Sequence, residues 1–342
     1  MTDQVIISME GTMGVIALNR PEAINALSAE MIAAISATLT KWHADPSVRA
    51  VLFEGRGAKG FCAGGDVRAA RALLVGGRRQ EAVDYFAAEY AMNALIATYP
   101  KPLIALTSGI VMGGGIGIAG HCAFRITQPG ARFAMPESAI GFFSDVGVNA
   151  ILSKAPLNRA LLFLMSGASV GVADALSLGL ADCMVAPESL MDLRAGLAAA
   201  VGADDPEQGI VRLMEEYSIT AGREIFCGLA DILPPESAVS AEAFVARVAA
   251  NPMLTELTQL LASRSPTALT AIFHAHIAAR KATETRAVLA MDLRLAEFMA
   301  GLPDFAEGVR AVLVDKDDRP NWQPRDLSSV DAAAILGAVE GA

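Results

Sequence analysis

The chain has 342 residues, enough for one large domain or two of ordinary size. Hydrophobic residues make up 53% and charged residues 19%, which excludes a disordered chain. The formal net charge is -10 and no basic stripe is present, which excludes a nucleic-acid partner.

The basic cluster Arg68, Arg71, Arg78 and Arg79 sits among acids and small residues, and reads as an exposed helix face. Cys62, Cys122, Cys183 and Cys227 lie far apart, with no zinc or redox spacing. They read as free thiols in a reducing cytosol. The N-terminal Met-Thr-Asp-Gln has neither signal-peptide nor transit-peptide character, so the expected location is cytoplasmic.

In chain order, Val5 to Met9 and Gly14 to Leu18 are apolar runs around Glu10-Gly11-Thr12 and read as a hairpin. Ser28 is placed to cap a helix whose Met31, Ile32, Ile35, Leu39 and Trp42 follow helical spacing. Ala50 to Glu54 reads as a buried strand, and Asp66 as the cap of a second helix. Glu81 to Tyr99 reads as a third helix, Leu103 to Thr107 as a strand, Gly113 to His121 as a Gly-rich helix start, and Ala123 to Thr127 as a returning strand. Helical patterns follow near 147–165 and 172–180, and then predominate to about 302. Alternating strands and helices imply an α/β class with a largely buried sheet. The Asp/Pro-rich stretch at 202–208 marks a boundary, giving a core of 1–201 and a mainly helical region of 202–342.

Pro102 to Phe124 carries no charged residue and is long enough to cross a bilayer. Its six glycines, with Thr107, Ser108 and His121, split it into strand, turn and short helix. It reads as a buried core element, with no membrane partner.

Two segments carry chemistry. Phe61-Cys62-Ala63-Gly64-Gly65-Asp66 ends a strand, supplies small residues, and opens a helix with an acidic cap. Small residues let a ligand approach backbone N–H groups at the positive end of the helix dipole. The bland reading is a tight strand-to-helix turn. Met112-Gly113-Gly114-Gly115 repeats the pattern after the strand 103–107. Two such turns on parallel strands of one sheet could aim one N–H each at a single oxygen. The spacing Gly115-x-Gly117-x-x-Gly120 also matches a dinucleotide fingerprint, but the next strand, 123–127, does not end in the acid that a dinucleotide site needs.

Glu137 and Asp145 sit among apolar residues, where an acid is costly unless partnered or functional. The competing reading is that Glu137 and Asp145 cap helices. His43, His121, His274 and His276 form no metal pattern, and no nucleophile elbow or phosphate loop occurs.

Phe61 to Asp66, Met112 to Gly115 and Pro136-Glu137, in this order, resemble the crotonase (enoyl-CoA hydratase/isomerase) superfamily. So does Leu18-Asn-Arg-Pro-Glu-Ala-Ile-Asn-Ala-Leu27. Glu89-Tyr90, Phe133-Ala-Met-Pro-Glu137, Asp145-Val-Gly147, Phe305 to Asp317 and Pro320 to Pro324 are similar to the 3-hydroxyisobutyryl-CoA hydrolase group within it. The resemblance covers about residues 5–328. It implies a crotonase-like spiral of ββα units with a helical C-terminal region. The implied reaction is hydrolysis of a short 3-hydroxyacyl-CoA thioester, 3-hydroxyisobutyryl-CoA first, a step of valine degradation. It places oxyanion-hole N–H groups on Gly65 and Gly114, and catalytic carboxyls on Glu137 and Asp145. Glu89, Ala63, Gly64, Asp66 and Gly113 fall at substrate-binding positions. No cofactor is implied, since coenzyme A enters with the substrate, and association into a homo-oligomer is suggested without a fixed number. The alternative is a hydratase- or isomerase-type lyase. Against that alternative, hydratases carry a second catalytic Glu two residues after the triple glycine, where this chain has Gly117, and resemble Gly at the place of Asp145. Ser144 and Val148 depart from the Pro and Gly usual in the hydrolase turn.

Overall fold

β1 (Val5–Glu10) and β2 (Met13–Leu18) form the expected antiparallel hairpin. The computed structural model describes residues 3–234 and 238–341. Ser28 caps α1 (Ala29–His43) by accepting the Met31 N–H at 3.2 Å, and the five apolar residues anticipated on its inner face are buried.

Next come β3 (Ala50–Gly55), β4 (Gly60–Cys62), α2 (Val67–Val75), α3 (Arg79–Ala97), β5 (Leu103–Thr107), β6 (Ile110–Met112), α4 (Gly114–Ala119), β7 (Phe124–Thr127) and β8 (Arg132–Ala134). α5 (Val148–Leu152), α6 (Leu157–Ser166), α7 (Val172–Leu178), β9 (Cys183–Met184), α8 (Leu190–Gly202) and α9 (Pro206–Tyr217) follow. The remainder is helical: α10 (Phe226–Ala230), α11 (Ala241–Ala249), α12 (Thr255–Ser263), α13 (Pro266–Ala279), α14 (Thr285–Met299), α15 (Pro303–Val309) and α16 (Ala332–Glu340).

Strand–strand–helix order recurs, and from β3 onward successive strands alternate between two sheets. A six-stranded sheet runs β1-β2-β3-β5-β7-β9 and is parallel from β2 onward. A three-stranded sheet runs β4-β6-β8, with β4 and β6 parallel. The two Gly-rich turns therefore follow β4 and β6 of the small sheet. The second turn thus follows β6 and not, as expected from the sequence, the strand 103–107 of the large sheet. β4 and β6 are three residues each, too short for alternation to reveal them.

Contacts divide the chain into two compact units. The first comprises the N-terminal residues through Gly65, Ala91–Phe133 and Val170–Glu224. The second comprises Asp66–Tyr90, Ala134–Ser169 and Ile225 onward. In the first unit, Met13, Val15, Leu52, Ile104 and Ile126 of the large sheet bury against Leu193, Leu197 and Val201 of α8 and Ile210 of α9. Arg194 on α8 bridges Glu10 of β1 and Glu54 of β3 across that contact. In the second unit α13 is buried on almost every face, packed by α6, α11, α14 and α16. That explains why it reads apolar all round rather than amphipathic.

The uncharged stretch 102–124 resolves into β5, β6 and α4. Among the described residues no helix is long and apolar enough to cross a membrane. Gly115, the first glycine of the dinucleotide-like spacing, serves a close approach of α4 to β4. A Cβ there would lie 2.7 Å from the Cys62 carbonyl oxygen and 2.8 Å from its Cβ. Gly115→Ala should therefore lower stability by about 1–3 kcal/mol through overpacking. The urea midpoint measures this, and an unchanged midpoint would show that α4 moves freely away from β4.

Candidate active site

In the first unit the Ala63–Gly65 turn is held from behind. Asn25 is fully buried at φ +55, in the left-handed region where Asn is tolerated. Its Nδ2 donates to the Arg56 and Phe61 carbonyls at 3.0 and 2.9 Å, and its Oδ1 accepts the Arg20 N–H at 2.8 Å. The Ala63 N–H donates to the Ile24 carbonyl and the Leu27 N–H to the Gly64 carbonyl. Leu18 to Leu27 thus acts as a clamp that uses up those turn groups. The Gly65 N–H is left over: among the described residues it has no acceptor.

The second turn matches the first. Gly113 adopts φ +49, ψ -122, a conformation open in practice only to glycine, and α4 starts directly after it. The Gly114 N–H also lacks an acceptor among the described residues. The two turns adjoin, because β4 and β6 pair. At Gly64, φ is +111, and a side chain there would come within 3.6 Å of the Gly114 nitrogen. Small residues at 63–65 and 113–115 keep that approach open. Two amides on neighbouring turns, both without an acceptor among the described residues, are thus left as available donors.

The second unit holds the acids. Asp66 accepts the Ala69 N–H at 3.1 Å, capping α2 as anticipated, and its own N–H donates to the Tyr85 hydroxyl at 2.9 Å. Glu89, Glu137, Asp145 and Asp292 are 8% exposed or less. Phe86, Tyr90, Phe142, Phe143 and Phe305 form a continuous aromatic cluster beside them, with ring centroids 4.9–6.3 Å apart along the chain of contacts. Burial pushes Glu89 up to about 8, with the Asp145 charge adding to it. Burial pushes Asp145 up to about 6, opposed by the Tyr90 hydroxyl, which donates to its Oδ2 at 2.6 Å. Glu137 is held well above the usual carboxylate range, by burial first and then by Asp145 and Glu89. Among the described residues, one oxygen each of Glu89, Glu137 and Asp292 has no hydrogen-bond partner. Such groups are rare and costly unless they meet a ligand or carry a proton.

Neither carboxyl caps a helix. Pro136 precedes the single helical turn Glu137–Ile140 with no side-chain cap, and Gly147, not Asp145, is the N-cap of α5. Asp145 instead leads into a strained turn. Val146 has φ +52, a conformation that costs a β-branched residue on the order of 1–3 kcal/mol. Gly147 follows at φ +72, and its N–H donates to Asp292 Oδ2 at 2.8 Å. Asn149 ties the turn from the other side, its Nδ2 donating to the Ser144 carbonyl at 2.7 Å. The Asn149 Oδ1 faces His276 Nδ1 at 3.1 Å, and burial pushes His276 down to about 3, so the ring is a neutral donor.

The first unit thus contains Ala63, Gly64, Gly65, Gly113 and Gly114, and the second contains Asp66, Glu89, Glu137 and Asp145. The sequence reading gave no role to Asp292, Asn149 or Asn25. Asp292 had a readable signal: it interrupts the apolar stripe Val288, Leu295 and Met299 of α14.

A family model for enoyl-CoA hydratase/isomerase matches residues 13–338. The mitochondrial 3-hydroxyisobutyryl-CoA hydrolase of Xenopus tropicalis is 36% identical over 96% of this chain and 86% of its own. The human mitochondrial 3-hydroxyisobutyryl-CoA hydrolase is 33% identical over 96% and 86%. Among solved structures, a carnitinyl-CoA dehydratase from Mycobacterium thermoresistibile superposes with a TM-score of 0.89 at 31% identity, covering 99% of this chain and 96% of that one. The expected cytoplasmic location is corrected by these relatives, whose hydrolases are mitochondrial. The four cysteines are buried thiols, and thiols report redox conditions without naming a compartment. The match over nearly the whole chain and the recurring strand–strand–helix order have one reading: the chain belongs to the enoyl-CoA hydratase/isomerase family and has the crotonase fold.

Proposed function

We propose that this protein hydrolyses 3-hydroxyisobutyryl-CoA to 3-hydroxyisobutyrate and free coenzyme A, as in valine degradation. The hydrolases at 33–36% identity support the reading. The observation that carries it is the inventory of acids. Glu89, Glu137 and Asp145 are buried together, whereas position 117, which needs a second acid for hydration, is a glycine inside α4.

In this reading the thioester oxygen accepts hydrogen bonds from the Gly65 and Gly114 N–H groups. Negative charge on that oxygen grows as the carbonyl carbon becomes tetrahedral, so the amides stabilise the transition state more than the substrate. Loss of one such donor costs on the order of 2.7–4 kcal/mol. Glu137 acts on the carbonyl in one of two ways. It attacks the carbon and expels the CoA thiolate, leaving a mixed anhydride that water cleaves, or it takes a proton from the water that attacks. Asp145 receives the substrate 3-hydroxyl, and Glu89, Ala63, Gly64, Asp66 and Gly113 line the bound acyl-CoA. The reaction needs no metal or organic cofactor, because the leaving group arrives with the substrate.

A second reading, lyase chemistry, is favoured by the dehydratase among the solved structures. Thiol release separates the two. Free thiol from 3-hydroxyisobutyryl-CoA is expected, with crotonyl-CoA giving neither thiol nor loss of its enoyl absorbance. Loss of that absorbance without thiol would instead identify a hydratase.

Glu137→Gln should lower kcat by about 10²- to 10⁴-fold, the range of a lost acid–base or nucleophilic group, while the protein stays folded. Single turnover in heavy-oxygen water assigns the route: label in the Glu137 carboxyl means attack, and its absence means base catalysis. Asp145→Ala should slow 3-hydroxyacyl-CoA far more than the plain acyl-CoA. Equal losses on both would reject the hydroxyl contact.

The buried acids also set a pH dependence of stability. Their folded pKa values are raised above the unfolded value of about 4, so between the two the native state binds more protons than the unfolded chain. Their contribution is complete below about pH 4. It is lost as pH rises through about 6 for Asp145 and about 8 for Glu89. The melting temperature of Glu89→Gln should therefore fall less than that of the parent protein between about pH 5 and about pH 8.5. Parallel curves for the two proteins would remove Glu89 from the explanation.

A further inference from the structure

Asp292 has no role in the chemistry just described, yet it is fully buried. It occupies a core position of α14, where Val288, Leu295 and Met299 share its face. Among the described residues no cation pairs with it, and its Oδ1 is without a partner. Among those residues its carboxyl accepts a single hydrogen bond, from the Gly147 N–H to Oδ2 at 2.8 Å. A leucine would suit such a position better for stability alone, since a buried unpaired carboxyl is costly. Gly147 closes the turn that begins at Asp145, and the residue between them, Val146, is in a left-handed conformation that it would not adopt unaided. A Val146 that relaxed would swing the Asp145 carboxyl away from the Tyr90 hydroxyl that holds its Oδ2.

We infer that Asp292 is a positioning residue for Asp145: by accepting the Gly147 N–H it locks the Val146–Gly147 turn and so fixes the direction of the Asp145 carboxyl. The inference rests on the reading that Asp145 works in thioester hydrolysis. Asn149 and His276 brace the start of the same turn through the Ser144 carbonyl, so the turn is held at both ends, and Asp292 supplies the end that follows Asp145.

The test uses Asp292→Leu, Asp292→Asn, Asp145→Asn, and Asp292→Leu combined with Asp145→Asn. For thiol release from 3-hydroxyisobutyryl-CoA, Asp292→Leu should lower kcat by about 100-fold with KM changed less than about threefold, the signature of a misplaced group. Asp292→Asn keeps an acceptor oxygen, and should rescue kcat to within about fivefold of the parent protein. The double variant should be no more than about threefold slower than Asp145→Asn alone, because Asp292 acts through Asp145. A residue that merely supported the fold would multiply its loss into the double variant. Hydrogen exchange of the Gly147 amide supplies a readout independent of turnover. It should be slow in the parent protein and in Asp292→Asn, and at least about 100-fold faster in Asp292→Leu. A parent protein that releases no thiol would sink the hydrolase reading and leave the exchange result to decide the turn. The inference is overturned by any of three results: fast exchange at Gly147 in the parent protein, full multiplication of the losses in the double variant, or an Asp292→Leu kcat within threefold of the parent. Should Asp292→Leu fail to fold, Asp292→Asn decides: a kcat loss beyond about 30-fold, with Gly147 still protected, is equally fatal.

Discussion

A carboxyl group taken out of water without a cation beside it is the constraint on which the second unit is organised. Glu89, Glu137, Asp145 and Asp292 are all buried, and their mutual repulsion adds to the desolvation penalty. Among the described residues none of the four is paired with a cation. Compensation is partial and local: the Tyr90 hydroxyl for Asp145 and the Gly147 amide for Asp292. Each hydrogen bond to a charged group returns about 1.5–3 kcal/mol, less than the several kcal/mol that burying an ion removes. The aromatic cluster from Phe86 to Phe305 and the all-round burial of α13 provide the apolar packing that carries this load.

The first unit meets a different demand. Among the described residues it leaves the Gly65 and Gly114 N–H groups without acceptors while satisfying the groups around them. Asn25, Ala63 and Leu27 do the second part, and the glycines at 64, 65, 113 and 114 do the first. Unpaired amides in a turn are costly for folding for the same reason that they are useful to an oxyanion: both follow from the scarcity of competing acceptors. The conformations at Gly64 and Gly113, with φ of +111 and +49, explain why glycine and no other residue stands there.

In the proposed reading, the distinction between hydrolysis and lyase chemistry within one family fold rests on few positions. Gly117 lies inside α4 with no side chain to offer, and Asp145 stands at the head of a turn braced on both sides. A fold hosts many reactions, and the reaction follows the groups placed around it.

The local elements were legible in the sequence because their signals are local. Ser28 and Asp66 cap the helices their side chains predict, the hairpin lies where its turn residues stand, and the spacing of Met31 through Trp42 gives the buried face of α1. The order of the glycine turns and of Glu137 and Asp145 was readable for the same reason. Tertiary structure decided the rest. β4 and β6 are too short to show a period, so only pairing reveals the second sheet and the adjacency of the two glycine turns. Whether Asp145 caps a helix or faces Tyr90 depends on Val146 entering a left-handed conformation, which its own sequence disfavours. Asp292 lies 145 residues from Gly147, and no local pattern relates an amide to a carboxyl at that separation. Side-chain chemistry and short-range geometry are written along the chain, whereas the bonds that aim a carboxyl close only when distant segments fold together.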